Sequence, residues 1–203
     1  MSLENALWNV GIFWGLTAPH EYAHAWAATK LGDQTPRNEG RLTLNPLAHV
    51  DWLGTVILPA LTSLTGYGFL GWGRPVNVNP GVLRGGWSGL AVVALAGPLT
   101  NVGLAFLLGA AHALLGDSHP FAAGLAIRAM FLSLYLALFN LLPVPPLDGS
   151  KLLLALRLPP AAYIHMARYG LLVLILAMSL GNLGEWLASG TRQGARLILA
   201  LFV

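Results

Sequence analysis

The sequence predicts an all-α polytopic membrane protein. About four spanning helices are expected, with re-entrant and short helices between them and a small extended or β segment near residues 41–44 and 75–79. Three observations lead there. Of 203 residues, 56% are hydrophobic and only 9% charged, with a mean hydropathy of +0.65, whereas a soluble domain carries about a quarter charged residues. The apolar residues gather in runs, several of them about 20 residues long, the length a bilayer core requires. Clusters of Gly, Pro, Asn and Asp separate the runs. Composition also excludes classes. The formal charge of +3 comes from eleven Lys and Arg against eight acidic residues; the basic residues are scattered, so no nucleic-acid partner is expected. With no Cys, disulfides and thiolate metal sites are ruled out, and any metal must be held by His and carboxylate. One membrane-embedded domain over 1–203 is expected, with a core at about 3–158 and a C-terminal helix and tail at 163–203.

The first run, about Leu3 to Leu31, suits one helix ended by Gly32-Asp33. No Lys or Arg precedes it, while Lys30, Arg37 and Arg41 follow at its end, so the positive-inside rule puts its C-terminus in the cytoplasm. The lack of an early basic residue, with Glu4 present, makes Met1 to Val10 a poor secretory signal, and the run is expected to be retained. Residues 35–50 are the most polar stretch; Arg41-Leu42-Thr43-Leu44 suits a short strand that Asn45-Pro46 breaks. Asp51 fits the N-cap of a second run, Trp52 to about Leu70. Gly54, Pro59, Gly66 and Gly68 interrupt it, and Arg74 and Arg84 follow it. A segment that dips in and returns keeps both arginines inside. Residues 71–86, with Pro75-Val76-Asn77-Val78-Asn79-Pro80, read as an extended loop. A third run, about Trp87 to Leu115, carries small residues at Ala94, Gly97, Asn101 and Ala105 that let a neighbouring helix approach closely. The fourth, about Phe121 to Leu142, ends in Pro143-Val144-Pro145-Pro146. A helix from Asp148 to about Leu158 is too short to span. A last spanning run covers about Tyr163 to Leu187, and the tail 191–203 suits an amphipathic surface helix.

Inside the first run lies His20-Glu21-Tyr22-Ala23-His24, an HExxH motif. Positions i and i+4 share one helix face, so His20 and His24 can grip one metal ion. Glu21 is placed to take a proton from a water rather than to bind the ion. The rival reading is three polar residues lining a helix interface by chance, which the chain's mere six His make rare. Ionisable groups at bilayer depth are costly and mark function.

Two His leave a catalytic zinc short of one protein ligand, and a carboxylate is a standard third. Glu4 and Asp117 fall on the outer side under this topology, and Glu185 lies at the far end of the last helix. Asp33 and Glu39 are expected to be solvated in the polar inner segment, and Asp51 to cap a helix, with a role near the site as its alternative. Asp148 follows a Pro-rich break that keeps the backbone out of regular helix. Parity returns it to the side where the first helix ends, about two to three turns from His20 and His24. It could instead merely cap the helix that follows it. His49 suits either a site role or a polar loop contact.

His20-Glu21-Tyr22-Ala23-His24 early, Ala96-Gly97-Pro98 with Asn101 in the middle, and Phe139-Asn140-Leu141-Leu142-Pro143 through Pro146-Leu147-Asp148-Gly149 late resemble the site-2 protease family of intramembrane zinc metalloproteases. Order and distribution match over about residues 10–155. The stretch Gly40 to Asp51, with Gly71-Trp72-Gly73-Arg74-Pro75-Val76, is similar to a compact prokaryotic branch, and no PDZ or CBS domain is inserted. The resemblance implies that His20, His24 and Asp148 bind one Zn2+ per chain and that Glu21 is the general base. Asn140 corresponds to the family Asn near the zinc. Its amide is the first choice as donor to the developing oxyanion, with an interhelical hydrogen bond as the other role open to it. Asn101 reads as a packing or supporting group. A prokaryotic cell-membrane location is implied, with the active site toward the cytoplasmic side, the lipid bilayer as surroundings and a transmembrane protein as substrate. Because peptide bonds in a helix are already paired, that substrate must unwind, and residues 41–44 or 75–79 could hold it as an added strand. The rival class is a non-enzymatic transporter or metal-binding regulatory module. Glu21 discriminates between them, because hydrolysis needs a carboxylate that does not ligate and ion binding does not.

Overall fold

A 28-residue helix, α1 (Leu3–Lys30), opens the chain in the computed structural model, which describes residues 2–65 and 70–202. The Ser2 hydroxyl caps it by accepting from the Asn5 amide at 3.3 Å. Glu4 in its first turn and Lys30 in its last face the matching ends of the helix dipole. Gly32, at φ +106°, turns the chain out of the helix. There follow the short α2 (Thr35–Asn38), a 3-10 turn at Pro46–His49, a π-helical turn at Trp52–Ile57 and α3 (Leu58–Thr65). The remaining helices are α4 (Trp87–Leu115), α5 (Pro120–Asn140), α6 (Asp148–Ala155), α7 (Pro160–Leu180) and α8 (Leu183–Leu199).

Among the described residues three stretches are long and apolar enough to cross a membrane: Trp87–Ser118, which contains α4, then α5 and α7. The chain is a membrane protein. On length and composition the count among the described residues is therefore three, and the expected count of about four is not reached. α1 has the length, but Asn5, Asn9, His20, Glu21 and His24 lower its mean hydropathy. No strand occurs among the described residues. At the expected strand 41–44 the backbone bends, because Arg41 turns inward, is buried, and donates from Nη1 to the Ala48 carbonyl. Residues 71–79 run without a ladder partner. Asp51 caps the second run as expected, its Oδ1 accepting from the Gly54 amide at 2.8 Å. The six-residue π turn and eight-residue α3 reach roughly 20 Å, short of a bilayer core of about 30 Å. Gly66 and Gly68, which belong to the re-entrant expectation, lie outside the described residues. The last run stops earlier than expected: Gly181-Asn182 ends α7, and α8 begins at Leu183 rather than near 191. α8 then buries Leu187, Ala195 and Ile198 and leaves Arg192 and Arg196 exposed.

Between helices in lipid, close packing of small residues holds the structure more than apolar burial does. α1 lies against both α4 and α5. Ala27 and Ala28 pack with Leu90 and Val93 of α4, and Phe13 and Leu16 pack with Leu136 of α5. α5 is tied to α4 where the Ser133 hydroxyl donates to the Asn101 carbonyl at 2.8 Å. This three-helix arrangement leaves the C-terminal half of α1 facing the loop between α5 and α6.

Candidate metal centre

α1 sets His20 and His24 one turn apart with ring centroids 4.7 Å from each other, and their Nε2 atoms are 3.1 Å apart. α6 begins at Asp148, whose Oδ2 lies 3.1 Å from His20 Nε2 and 3.0 Å from His24 Nε2. Three ligand atoms thus form a nearly equilateral triangle, and all three residues are buried. Hydrogen bonds orient two of them. His24 Nδ1 donates to the Val93 carbonyl at 2.7 Å, which leaves the Nε2 lone pair pointing at the triangle. Lys151 Nζ donates to Asp148 Oδ1 at 2.8 Å, which leaves Oδ2 for it. His24 Nε2 and the Asp148 carboxylate are then two acceptors held 3.0 Å apart. A cation between them relieves that repulsion. Tetrahedral ligands at about 2.0–2.1 Å from zinc stand roughly 3.3 Å from one another, and zinc accepts His and Asp donors. The donor set and its spacing fit that ion.

Two glycines make the assembly sterically open. α4 crosses behind the triangle at Gly97, where an added Cβ would sit 2.4 Å from His24 Nε2 and 2.6 Å from His20 Nε2. At the start of α6 a Cβ on Gly149 would lie 2.1 Å from the Leu141 carbonyl oxygen, so only glycine lets the chain turn back past the end of α5. The Ser150 hydroxyl fastens that turn, donating to the Leu147 carbonyl at 2.6 Å and lying 3.2 Å from the Tyr163 hydroxyl.

Glu21 is buried beside His20 and stays outside the triangle. It lines a cavity of about 320 Å³ together with His20, Asp148, Lys151, Asn101 and Asn140. The segment 71–76 passes over the carboxylate, since a Cβ on Gly73 would come 3.1 Å from Glu21 Oε1. Asn140 reaches this cavity with its Nδ2 donating to the Leu136 carbonyl at 3.0 Å, one turn back in α5.

Elsewhere the structure departs from the sequence expectations at Asp33 and agrees with them at Glu39 and His49. Asp33 is not solvated: it is 1% exposed, with Oδ1 accepting from the Thr35 amide at 2.9 Å and Oδ2 from the Asn79 amide at 2.7 Å. Burial pushes its carboxyl up, but the hydrogen bonds from Thr35 and Asn79 outweigh this and hold it below the ordinary value. Glu39 is exposed and accepts from Asn77 Nδ2. His49 is a loop contact, with Nε2 donating to the Thr43 carbonyl at 2.8 Å. Lys151 was not singled out from sequence, although a basic residue three positions after Asp148 on a helix is a readable signal. Gly97 was readable as a close-approach position, but not that its neighbours are the two imidazoles.

No family model matches the chain, and no solved structure matches it. Among curated proteins, one from Bacillus subtilis named "Putative zinc metalloprotease YwhC" is 36% identical over 203 residues, covering 90% of this chain and 87% of its own length. "Putative zinc metalloprotease Rip2" of Mycolicibacterium smegmatis is 33% identical over 173 residues, 82% of this chain and 64% of its own. The protein of the same name from Mycobacterium tuberculosis is 40% identical over 133 residues, 64% of this chain and 49% of its own. The matched region thus spans about half to two thirds of the Rip2 relatives.

Proposed function

The chain belongs to the site-2 protease family, and from that membership we propose that it is an intramembrane zinc metalloendopeptidase of the cell membrane. It hydrolyses peptide bonds in or near transmembrane segments of membrane proteins. The observation that carries this reading is the buried His20–His24–Asp148 triangle beside the buried carboxylate of Glu21, on a cavity whose other carboxylate, Asp51, is taken up in capping its turn at Gly54. His20, His24 and Asp148 hold the metal, one ion per chain. A zinc ion held there would lower the pKa of a bound water to about 7 and would polarise the scissile carbonyl. Glu21 is placed to take a proton from the attacking water and to hand it to the leaving amine. Asn140 keeps one amide hydrogen on Leu136 and offers the other to the developing oxyanion. Peptide groups in a helix are already hydrogen-bonded, so the substrate enters unwound and lies along segment 71–76, which lines the cavity. α1 serves as the fourth span, with Lys30, Arg37 and Arg41 at its cytoplasmic end, and this charge pattern supports a site toward the cytoplasm.

The test is Glu21→Gln in reconstituted protein with a single-span substrate. Metal content should stay at one ion per chain while cleavage falls about 100-fold or more, the usual weight of a general base. Cleavage that persists in Glu21→Gln overturns the assignment of the base. Ion transport without cleavage by the unaltered protein would place it in the non-enzymatic class instead.

A further inference from the structure

Asn101 lies one turn beyond Gly97 on the same face of α4. Gly97 backs the two Nε2 atoms, and Asn101 lines the adjoining cavity. Its side chain is 0% exposed, and neither Nδ2 nor Oδ1 has a hydrogen-bond partner among the described residues. A packing role would need a partner across the helix interface. The polar neighbour on α5, Ser133, instead donates to the backbone carbonyl of Asn101. A buried carboxamide left unpaired on both sides is costly, and this cost stands on the wall of the same cavity that segment 71–76 lines.

Resting on the protease reading, we infer that Asn101 is a substrate-binding residue whose carboxamide pairs with the main chain of the unwound substrate. Nδ2 donates to a peptide carbonyl and Oδ1 accepts from a peptide N–H. One turn of α4 is about 5.4 Å, so this contact falls roughly two residues of extended chain from the metal. A segment drawn out of its own helix arrives with both main-chain groups unpaired. A neutral primary amide satisfies both without placing a charge in the bilayer. Because it reads the backbone, Asn101 favours unwound chain over helix irrespective of side-chain identity.

The test uses Asn101→Leu, with Asn101→Ala as the variant that cannot overpack. Three measurements are made: metal content, thermal midpoint, and binding of a fluorescent transmembrane peptide by full-length protein carrying Glu21→Gln; kcat/KM is read in the Glu21 background. Metal content should be unchanged. Replacing an unpaired buried amide by an apolar group of similar size should leave the midpoint equal or raised. Peptide affinity and kcat/KM should each fall about ten- to a hundredfold, the loss expected for one or two hydrogen bonds. A lowered midpoint with binding intact assigns Asn101 to packing and overturns the inference, as does loss of metal in both variants or no change in any readout. If the unaltered protein neither binds nor cleaves the peptide, the protease reading fails and this inference falls with it. Cleavage equal in wild type and Asn101→Leu sinks this inference alone.

Discussion

Gly97→Ala is the substitution the geometry condemns most directly. The new Cβ would lie 2.4 Å from His24 Nε2 and 2.6 Å from His20 Nε2, where non-bonded carbon contacts settle at about 3.5 Å or more. An overlap of roughly 1 Å must be relieved. α4 cannot retreat freely, because Leu90 and Val93 pack on Ala27 and Ala28 of α1 and Asn101 is tied to Ser133 of α5. Without metal the imidazoles can swing away. With metal they cannot, since ligand distances tolerate only about 0.2 Å. The overpacking strain of about 1–3 kcal/mol therefore falls on the metal-bound state and weakens zinc binding roughly 5- to 150-fold. Chelator competition on detergent-purified protein measures this, with metal counted per chain. Gly103→Ala on the same helix is the control, because nothing lies within 4 Å of its added Cβ; zinc affinity should be unchanged. Gly97→Ala protein that binds zinc as tightly as wild type would refute the close approach of α4 to the ligands.

Three further outcomes follow from named contacts. Lys151→Met removes the partner of Asp148 Oδ1 and should cost about 10- to 100-fold in zinc affinity or kcat/KM, as loss of a ligand's supporting contact typically does; unchanged values would make the ion pair incidental. Val76→Pro in the segment above Glu21 should cut cleavage with zinc retained, and full activity would count against substrate pairing along 71–76. Asp33 has its folded pKa depressed, so its contribution is present above the unfolded value of about 3.9 and is lost as pH falls through the folded one. Thermal midpoints taken from pH 7 to pH 3 should show an acid loss that is smaller in Asp33→Asn, with the variant about 1–3 kcal/mol less stable at neutral pH for its mismatched donor. Parallel acid profiles would remove Asp33 from that role.

Helix positions with a strong local cause were readable in the sequence. Asp51 caps its turn through a side-chain bond to Gly54, three residues on, and α6 starts at Asp148 after the Pro-rich break. What escaped depended on long-range partners. Asp33 looks like a loop carboxylate until Asn79, 46 positions away, supplies its amide. Arg41 sits in a β-like pattern, yet its guanidinium bonds to Ala48 and bends the strand away. The end of α7 escaped because Gly181-Asn182 is a weak break in an apolar run, and it is the docking of Leu187 with Leu174 and Phe139 that fixes the return of α8.

The span that hydropathy misses is the one that bears the motif, and the two facts have one cause. His20, Glu21 and His24 make α1 too polar to be recognised by composition, yet all three are buried, shielded from lipid by α4, α5, α6 and the 71–76 segment. A helix facing lipid on every side could not carry them, because unpaired ionisable groups at that depth are expensive. α7 is the contrast within the same chain: only Gly170 and Leu174 are buried along its 21 residues, its ionisable His165 and Arg168 fall in its first nine, and no His, Asp, Glu, Lys or Arg follows from Gly170 to Leu180. Polar residues are therefore tolerated on α1 because neighbouring segments enclose them, and the enclosure that makes the helix tolerable is the same one that brings Asp148 to within 3.1 Å of His20.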